Sequence, residues 1–232
     1  MKKQFTYQYP RAAVTTDCVI FGVRENELKL LLVKRAIQPY KGKWALPGGF
    51  ISMKETADEC AQRLLKEEAG IRNVFIEQLY TFSNLKRDPR ERVISIAYYA
   101  LVNAGQLQPV AGHFNDAAAW HPVKKIPSLA FDHRHIAETA LKRLQGKLVY
   151  QPIGFELLPR QFSVSQLHHL YETILERKLD RRNFTKKILS MKLLERVKEK
   201  RITGAPGKPA TLFQFNKGKY HKLTTKGFSF QL

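Results

Sequence analysis

Residues 47–71 open on the turn Pro47-Gly48-Gly49, close on Gly70-Ile71, and between these carry Glu55, Arg63, Glu67 and Glu68 on one unbroken stretch free of Gly and Pro. Such a stretch favours a helix, and Gly70 is suited to end it as a left-handed C-cap. Each helical residue turns about 100°, so Leu64 and Glu68 lie about 40° apart with Glu67 about 60° to the other side. The three share one face, on which two carboxylates flank a leucine. A plain amphipathic surface helix accounts for Glu67, Glu68 and Gly70. It does not account for Gly49, Glu55 and Arg63 at fixed offsets, or for the Pro-Gly-Gly turn ahead of them.

The spacing reads Gly49, five residues, Glu55, seven residues, Arg63, Leu64, an aliphatic residue, any residue, Glu67-Glu68, any residue, Gly70 and the aliphatic Ile71. This resembles the Nudix box at every fixed position except Leu64, where the family has Glu. The resemblance implies that the helix face presents carboxylates, here Glu67 and Glu68, to Mg²⁺, which takes oxygen ligands and bridges substrate phosphates while water attacks a diphosphate. Leucine can neither hold the metal nor accept a proton, and removing a general base typically costs about 10² to 10⁴ in rate. The expectation is a box impaired as a catalyst, with its binding surface at Gly48, Gly49 and Arg63 intact. Mg²⁺ can still be held there but is not required.

The flanks predict a sheet. Residues 14–22 (VTTDCVIFG) and 28–35 (LKLLLVKR) form two β-type runs around the turn Arg24-Glu25-Asn26-Glu27, which reads as a hairpin. Further strands are expected at 74–82, 92–102 and 117–123. A helix is expected over about 132–145, with Ile136, Ala140, Leu141 and Leu144 on one face. Residues 1–150 suffice for one domain. The segment Arg87-Asp88-Pro89-Arg90 and its continuation to Tyr98 is similar to the part that follows the box in ADP-ribose-directed Nudix proteins. Arg35, Arg63, Arg87 and Arg90 are accordingly candidates for a diphosphate, with Gly48 and Gly49; a solvated charged loop would explain Arg87 and Arg90 equally well.

Past residue 150 the balance of charge shifts. The whole chain has 40 Lys+Arg against 20 Asp+Glu, a net +20, and residues 151–232 hold 17 basic against 6 acidic residues. A basic excess of this size points to a polyanionic partner, and an acidic protein surface or an anionic membrane face would also fit. No apolar run approaches 18 residues, which predicts a soluble, cytoplasmic protein without a membrane partner. Cys18 and Cys60 read as small buried residues. The pairs His133/His135 and His168/His169 lack ligand-type neighbours and read as helix-surface residues.

The C-terminal region, 151–232, parses as helix, helix, hairpin. Ser163 to Gln166 fits a capping box before a helix with Leu167, Leu170, Tyr171, Ile174 and Leu175 on one stripe. A second helix, Arg181 to about Leu193, is expected to bury Phe184, Ile188 and Met191. Residues 195–202 and 211–215 alternate around the Gly/Pro turn 204–209, giving a basic hairpin with Lys208 at its tip. This order resembles a winged helix-turn-helix. The second helix would enter the major groove with Arg181, Arg182 and Asn183 at its reading end and Thr185 and Lys186 alongside, while Lys198, Lys200, Arg201 and Lys208 on the wing hold phosphates. A basic appendage that solubilises the protein or contacts RNA is the plainer alternative.

Taken together, a Nudix-like domain with an altered box and Leu-Asp-Arg-Arg-Asn-Phe (179–184) in a winged helix resembles the Nudix-related transcriptional regulators, the NrtR family, over essentially the whole chain. The fold class expected is α+β, a Nudix α/β/α sandwich followed by a winged helix-turn-helix domain. The resemblance implies a bacterial repressor of NAD-metabolism genes, a homodimer on double-stranded operator DNA, released by ADP-ribose or a related nucleotide; some regulators of this architecture answer to sugars instead. An active, Mg²⁺-dependent ADP-ribose pyrophosphatase with a basic tail stays open as the alternative, because some Nudix enzymes take their base from outside the box.

Overall fold

A computed structural model describes residues 6–72, 74–197 and 211–224. The chain forms two compact units, one of Met1–Ile20, Leu30–Ala100 and Gln108–Ala140, the other of Phe21–Lys29, Leu101–Leu107 and Leu141–Leu232.

The larger sheet has the strands β1 (Ala13–Arg24), β2 (Glu27–Arg35), β3 (Trp44–Ala45), β4 (Gly48–Phe50), β5 (Glu77–Phe82), β6 (Val93–Val102) and β7 (Asn115–Pro122). The order is β3-β2-β1-β6-β5, with β4 paired to β1 and β7 to β2. Glu25 and Asn26 both take positive φ, 55° and 60°, the backbone that a two-residue hairpin turn requires. Alternation along β1 sorts its side chains between two helices. Thr16 and Cys18 face helix α1 (Ala57–Ala69), through Cys60 Sγ at 3.4 Å and the Ala61 carbonyl at 3.9 Å. Asp17 faces the other way, toward His133 at the start of α2 (His133–Tyr150). Helix, sheet and helix are therefore stacked as α/β/α.

Helix α1 has a reciprocal capping box between Thr56 and Glu59, and Gly70 at φ 71° closes it with its N–H on the Leu65 and Lys66 carbonyls. Helix α2 runs five residues past the expected end, and its apolar face is Ile136, Ala137, Ala140, Leu144 and Leu148, with Leu141 half-buried. Strand β5 is shorter than the run 74–82 and bulges between Gln78 and Tyr80.

The second unit contains α3 (Val164–Leu175), α4 (Arg181–Ser190), β8 (Leu194–Arg196), β9 (Phe213–Phe215) and α5 (Lys217–Thr224). Ser163 and Gln166 form the capping box of α3. Its buried stripe is Leu167, Leu170, Tyr171 and Ile174, with Leu175 half-buried. Phe184 of α4 packs edge-on against Tyr171 and His168, at 5.2 and 5.1 Å between ring centroids. Helix α4 ends three residues before the expected Leu193, because Lys192 turns into the left-handed region at φ 55°. That reversal buries Leu193 and delivers the chain into β8, leaving Met191 half-buried. Strands β8 and β9 pair antiparallel, Leu194 with Phe215 and Arg196 with Phe213, and Phe162 bridges to Phe213 as a third rung. Helix-turn-helix followed by a hairpin is the winged-helix order. Helix α5 was not expected from the sequence; Asn216 caps it through the Lys219 N–H at 2.7 Å.

Candidate ligand cleft and nucleic-acid interface

A cleft of about 280 Å³ opens in the first unit where β1, β4, α1 and the segment 87–90 converge. Its walls include all six arginines and glycines expected to bind ligand, Arg35, Gly48, Gly49, Arg63, Arg87 and Arg90, and both expected metal carboxylates, Glu67 and Glu68. The glycines are there for close approach. Across the β1–β4 pairing Asp17 faces Gly48, and a Cβ on Gly48 would overlap the Asp17 carboxylate and the Thr16 carbonyl. A Cβ on Gly49 would come to 3.0 Å of Leu64 Cδ2.

The four arginines are unequally free. Arg87 is buried, with its side chain 4 % exposed. Its Nη2 donates to Asp17 at 3.0 Å and to Asp132 at 2.8 Å, and its Nε to Asp132 at 3.0 Å. The guanidinium lines the cleft and is at the same time the internal counter-ion of two carboxylates. Arg63 is likewise engaged, with Glu55, Glu67 and the Phe50 carbonyl. Arg90 holds Asp88 through two bonds of 3.0 and 2.7 Å yet keeps its plane over Phe50 and Phe131, at 5.1 and 5.7 Å. Arg35 donates from Nε to the Pro39 carbonyl and lies 5.0 Å from the same Phe131 ring. Burial first, and then repulsion from Arg90, pushes its guanidinium down from the ordinary value. Two cations that disfavour each other across an aromatic ring are a site for an anion with a flat group beside it.

Beneath the cleft lies a network that sequence reading missed. Asp17 accepts from Arg87 at 3.0 Å and from the Ser95 hydroxyl at 2.5 Å, with His133 Nε2 at 3.4 Å. The Leu46 N–H donates to His133 Nδ1 at 2.9 Å, so that nitrogen carries a lone pair and the proton sits on Nε2. Burial alone would push the Asp17 carboxyl up; His133, Arg87 and Ser95 outweigh it and hold it well below the usual carboxylate range. The signal was available, since an aspartate inside an apolar strand must be paired. His133 is thus a buried structural residue rather than a surface one, and His168 is tied to the Leu179 carbonyl at 3.0 Å.

The two carboxylates of the acidic face both line the cleft, and both have partners within the protein. Leu64 is 4 % exposed and packs under Gly49. Glu67 pairs with Arg63 at 2.9 Å. Glu68 is buried, accepts from the Asn115 side chain, and is pushed up by burial despite that bond. Among the described residues no group of three or more His, Cys, Asp or Glu is placed to hold a metal ion from protein side chains alone, whereas Mg²⁺ commonly uses one or two carboxylates together with waters and substrate phosphates.

In the second unit, Arg181, Arg182 and Asn183 are exposed on the first turn of α4, with Lys186 exposed and Thr185 half-buried one turn on. Asp180 caps the helix through the Asn183 N–H at 2.7 Å. Arg181 Nη2 donates to Ser165 Oγ at 2.9 Å, which draws it toward α3, and Arg182 beside it is exposed. The wing residues Lys198, Lys200, Arg201 and Lys208 lie outside the described residues.

Comparison with known proteins adds two domain matches. Residues 13–144 match the NUDIX domain, and residues 154–215 match the NrtR DNA-binding winged helix domain. The chain belongs to the NrtR family. It is similar to the ADPR responsive transcriptional repressor NtrR of Acinetobacter baylyi, 33% identical over 89% of this chain and 83% of that protein. It is similar in structure to Shewanella oneidensis NrtR complexed with a 27mer DNA, at TM-score 0.80 and 30% identity, covering 94% of this chain and 97% of that one. Its Nudix part is also similar to an ADP-ribose pyrophosphatase of Methanocaldococcus jannaschii, 37% identical over 63% of this chain and 82% of that enzyme. Among the described residues of this NrtR-family protein no helix is long and apolar enough to cross a membrane.

Proposed function

We propose that this protein is a cytoplasmic transcriptional repressor that holds double-stranded operator DNA through its winged helix and releases it when ADP-ribose or a related nucleotide enters the Nudix cleft. Residues 1–150 serve as the sensing domain and 151–232 as the DNA-binding domain. The observation that carries this reading is the pairing of an NrtR winged helix, residues 154–215, with a Nudix domain whose box has Leu64 in place of a carboxylate. Arg35 and Arg90 supply cationic partners for the diphosphate, and Phe131, Phe50 and Phe114 supply surfaces for the rest of the nucleotide. Glu67 and Glu68 are committed within the protein, so ligand binding does not require Mg²⁺ and hydrolysis is impaired. Arg182, Asn183 and Lys186 on α4 read and hold DNA, with the wing lysines on phosphates. One winged helix reads few base pairs, so a homodimer on a near-palindromic site supplies the selectivity a genome demands.

The test is a gel shift on DNA from upstream of the protein's own gene, with ADP-ribose or L-arabinose added. Operator binding that ADP-ribose weakens about 5- to 150-fold supports the reading, as expected for a coupling of about 1–3 kcal/mol. Release by the sugar alone moves the effector to another class. Efficient Mg²⁺-dependent cleavage of ADP-ribose without operator binding would favour the pyrophosphatase reading, which the archaeal relative supports.

A further inference from the structure

The cleft contains one polar group that none of the interactions above uses. Thr15 is 7 % exposed and lines the cleft, yet its Oγ1 has no hydrogen-bond partner among the described residues. Its neighbours on β1 do not share this condition. Thr16 meets Cys60 Sγ, and Asp17 meets Arg87 and Ser95. A buried hydroxyl without a partner forfeits the hydration it had in the unfolded chain. Valine has the same shape and suits a strand equally well, so the hydroxyl is no asset to the fold.

Its position shows what it faces. Thr15 pairs in register with Phe50 across β1–β4, and directly opposed residues on a sheet share a face with Cβ atoms about 5 Å apart. The Phe50 ring lies under the Arg90 guanidinium, 5.1 Å away. Of the nearby carboxylates, Asp17 is paired with Arg87, Asp88 with Arg90 and Glu67 with Arg63, which lessens the repulsion an anion meets beside Arg35 and Arg90. A hydroxyl donor beside such an anion forms a charge-assisted bond.

We propose that Thr15 is a ligand-binding residue, its Oγ1–H donating to a phosphate oxygen of a diphosphate-bearing nucleotide held by Arg90 and Arg35. This rests on the nucleotide-sensing reading above. The experiment is calorimetric titration of wild type, Thr15→Val and Thr15→Ser with ADP-ribose and with ADP, together with the melting temperature of each free protein. Thr15→Val should bind both ligands about tenfold or more weakly, as loss of a hydrogen bond to a charged group does, and melt at or above wild type. Thr15→Ser should stay within about threefold of wild type, since it keeps the donor. Unchanged affinity in a normally melting Thr15→Val protein overturns the proposal and leaves nucleotide sensing standing. Weakening confined to ADP-ribose overturns the phosphate assignment in favour of the second sugar. A wild-type protein that binds neither ligand sinks both this proposal and the reading on which it rests.

Discussion

Replacing Arg87 by Ala separates the internal and the ligand-binding arginines. The side chain is almost wholly buried and makes three charge-assisted bonds, two to Asp132 and one to Asp17. Its loss leaves Asp17 buried with only the Ser95 hydroxyl and the His133 N–H for company. Breaking a buried pair by removing one partner costs about 3–5 kcal/mol. For a domain of this size each kcal/mol moves the midpoint by about 3 °C, so Arg87→Ala should melt roughly 10–15 °C below wild type at pH 7. Arg90→Ala removes a partly exposed arginine but leaves the buried Asp88 without its cation, so it should also lower the midpoint, by less than Arg87→Ala because Arg90 holds one carboxylate and not two, while weakening nucleotide binding.

The Arg87 deficit should depend on pH with a definite sign. In the wild type the Asp17 carboxyl is depressed, so its contribution is present above the unfolded value near 4 and lost as pH falls toward the folded one. Without Arg87 one of the groups that offsets burial is gone, so the carboxyl is less depressed, His133 and Ser95 remaining, and the folded variant takes up its proton at a higher pH than the folded wild type. The gap between variant and wild type should therefore narrow as pH falls from about 5 toward about 3. Differential scanning calorimetry across that range measures it. A midpoint within about 2 °C of wild type at pH 7, joined to a large loss of ADP-ribose affinity, would refute the buried-counter-ion argument and return Arg87 to the ligand.

Leu64→Glu places a carboxylate in a buried position beside Glu68, so it should lower the melting temperature in EDTA and recover with Mg²⁺. AMP release from ADP-ribose should rise from a wild-type level at least about 10²-fold below an active homologue; no response to Mg²⁺ would refute the metal-face geometry. Arg182→Ala should cost about 1–3 kcal/mol and relax specificity at one base pair, whereas Lys186→Ala should weaken all sequences alike and reduce the salt slope by about one. Uniform losses in both, measured by fluorescence anisotropy on operator variants, would misplace the reading end of α4. Glu68 is raised by burial, so its cost to stability appears as pH rises through its elevated value; Glu68→Gln should gain on wild type from pH 4 to pH 8 in urea unfolding, and a constant difference would refute that sign.

Local rules carried much of the architecture, because hairpin, capping box and apolar stripe each arise within a few residues. Glu25-Asn26, Ser163 with Gln166, and Leu167 through Ile174 were legible for that reason. Ends of elements were less so, since Lys192 terminates α4 by a backbone reversal that no helical periodicity announces. Helix α5 escaped because its sequence, KGKYHKLT, has no apolar stripe of its own and depends on an Asn216 cap. In the cleft the box spacing located the right residues, yet it could not say which charges were already paired. Arg87 meets Asp17 across 70 positions and Asp132 across 45, a pairing set by strand order rather than by neighbouring sequence. The orphan Thr15 hydroxyl is invisible for the same reason, because burial and the lack of a partner exist only after folding.

These pairings bear on how a nucleotide-cleaving scaffold can become a sensor. On the reading proposed above, a cation at the acidic face would have to compete for its carboxylate oxygens: position 64 is apolar, Glu67 pairs with Arg63, and Glu68 accepts from Asn115. The cleft also carries positive charge, with Arg35 and Arg90 both within reach of the Phe131 ring. An anion can then be bound by the cationic wall without a metal to polarise it. Affinity and turnover, which share the bridging cation in an enzyme, become separable. On the proposed reading, a bound nucleotide that is not consumed would last long enough to bias a DNA-binding equilibrium, and the size of that bias would be set only by its differential affinity for the two states.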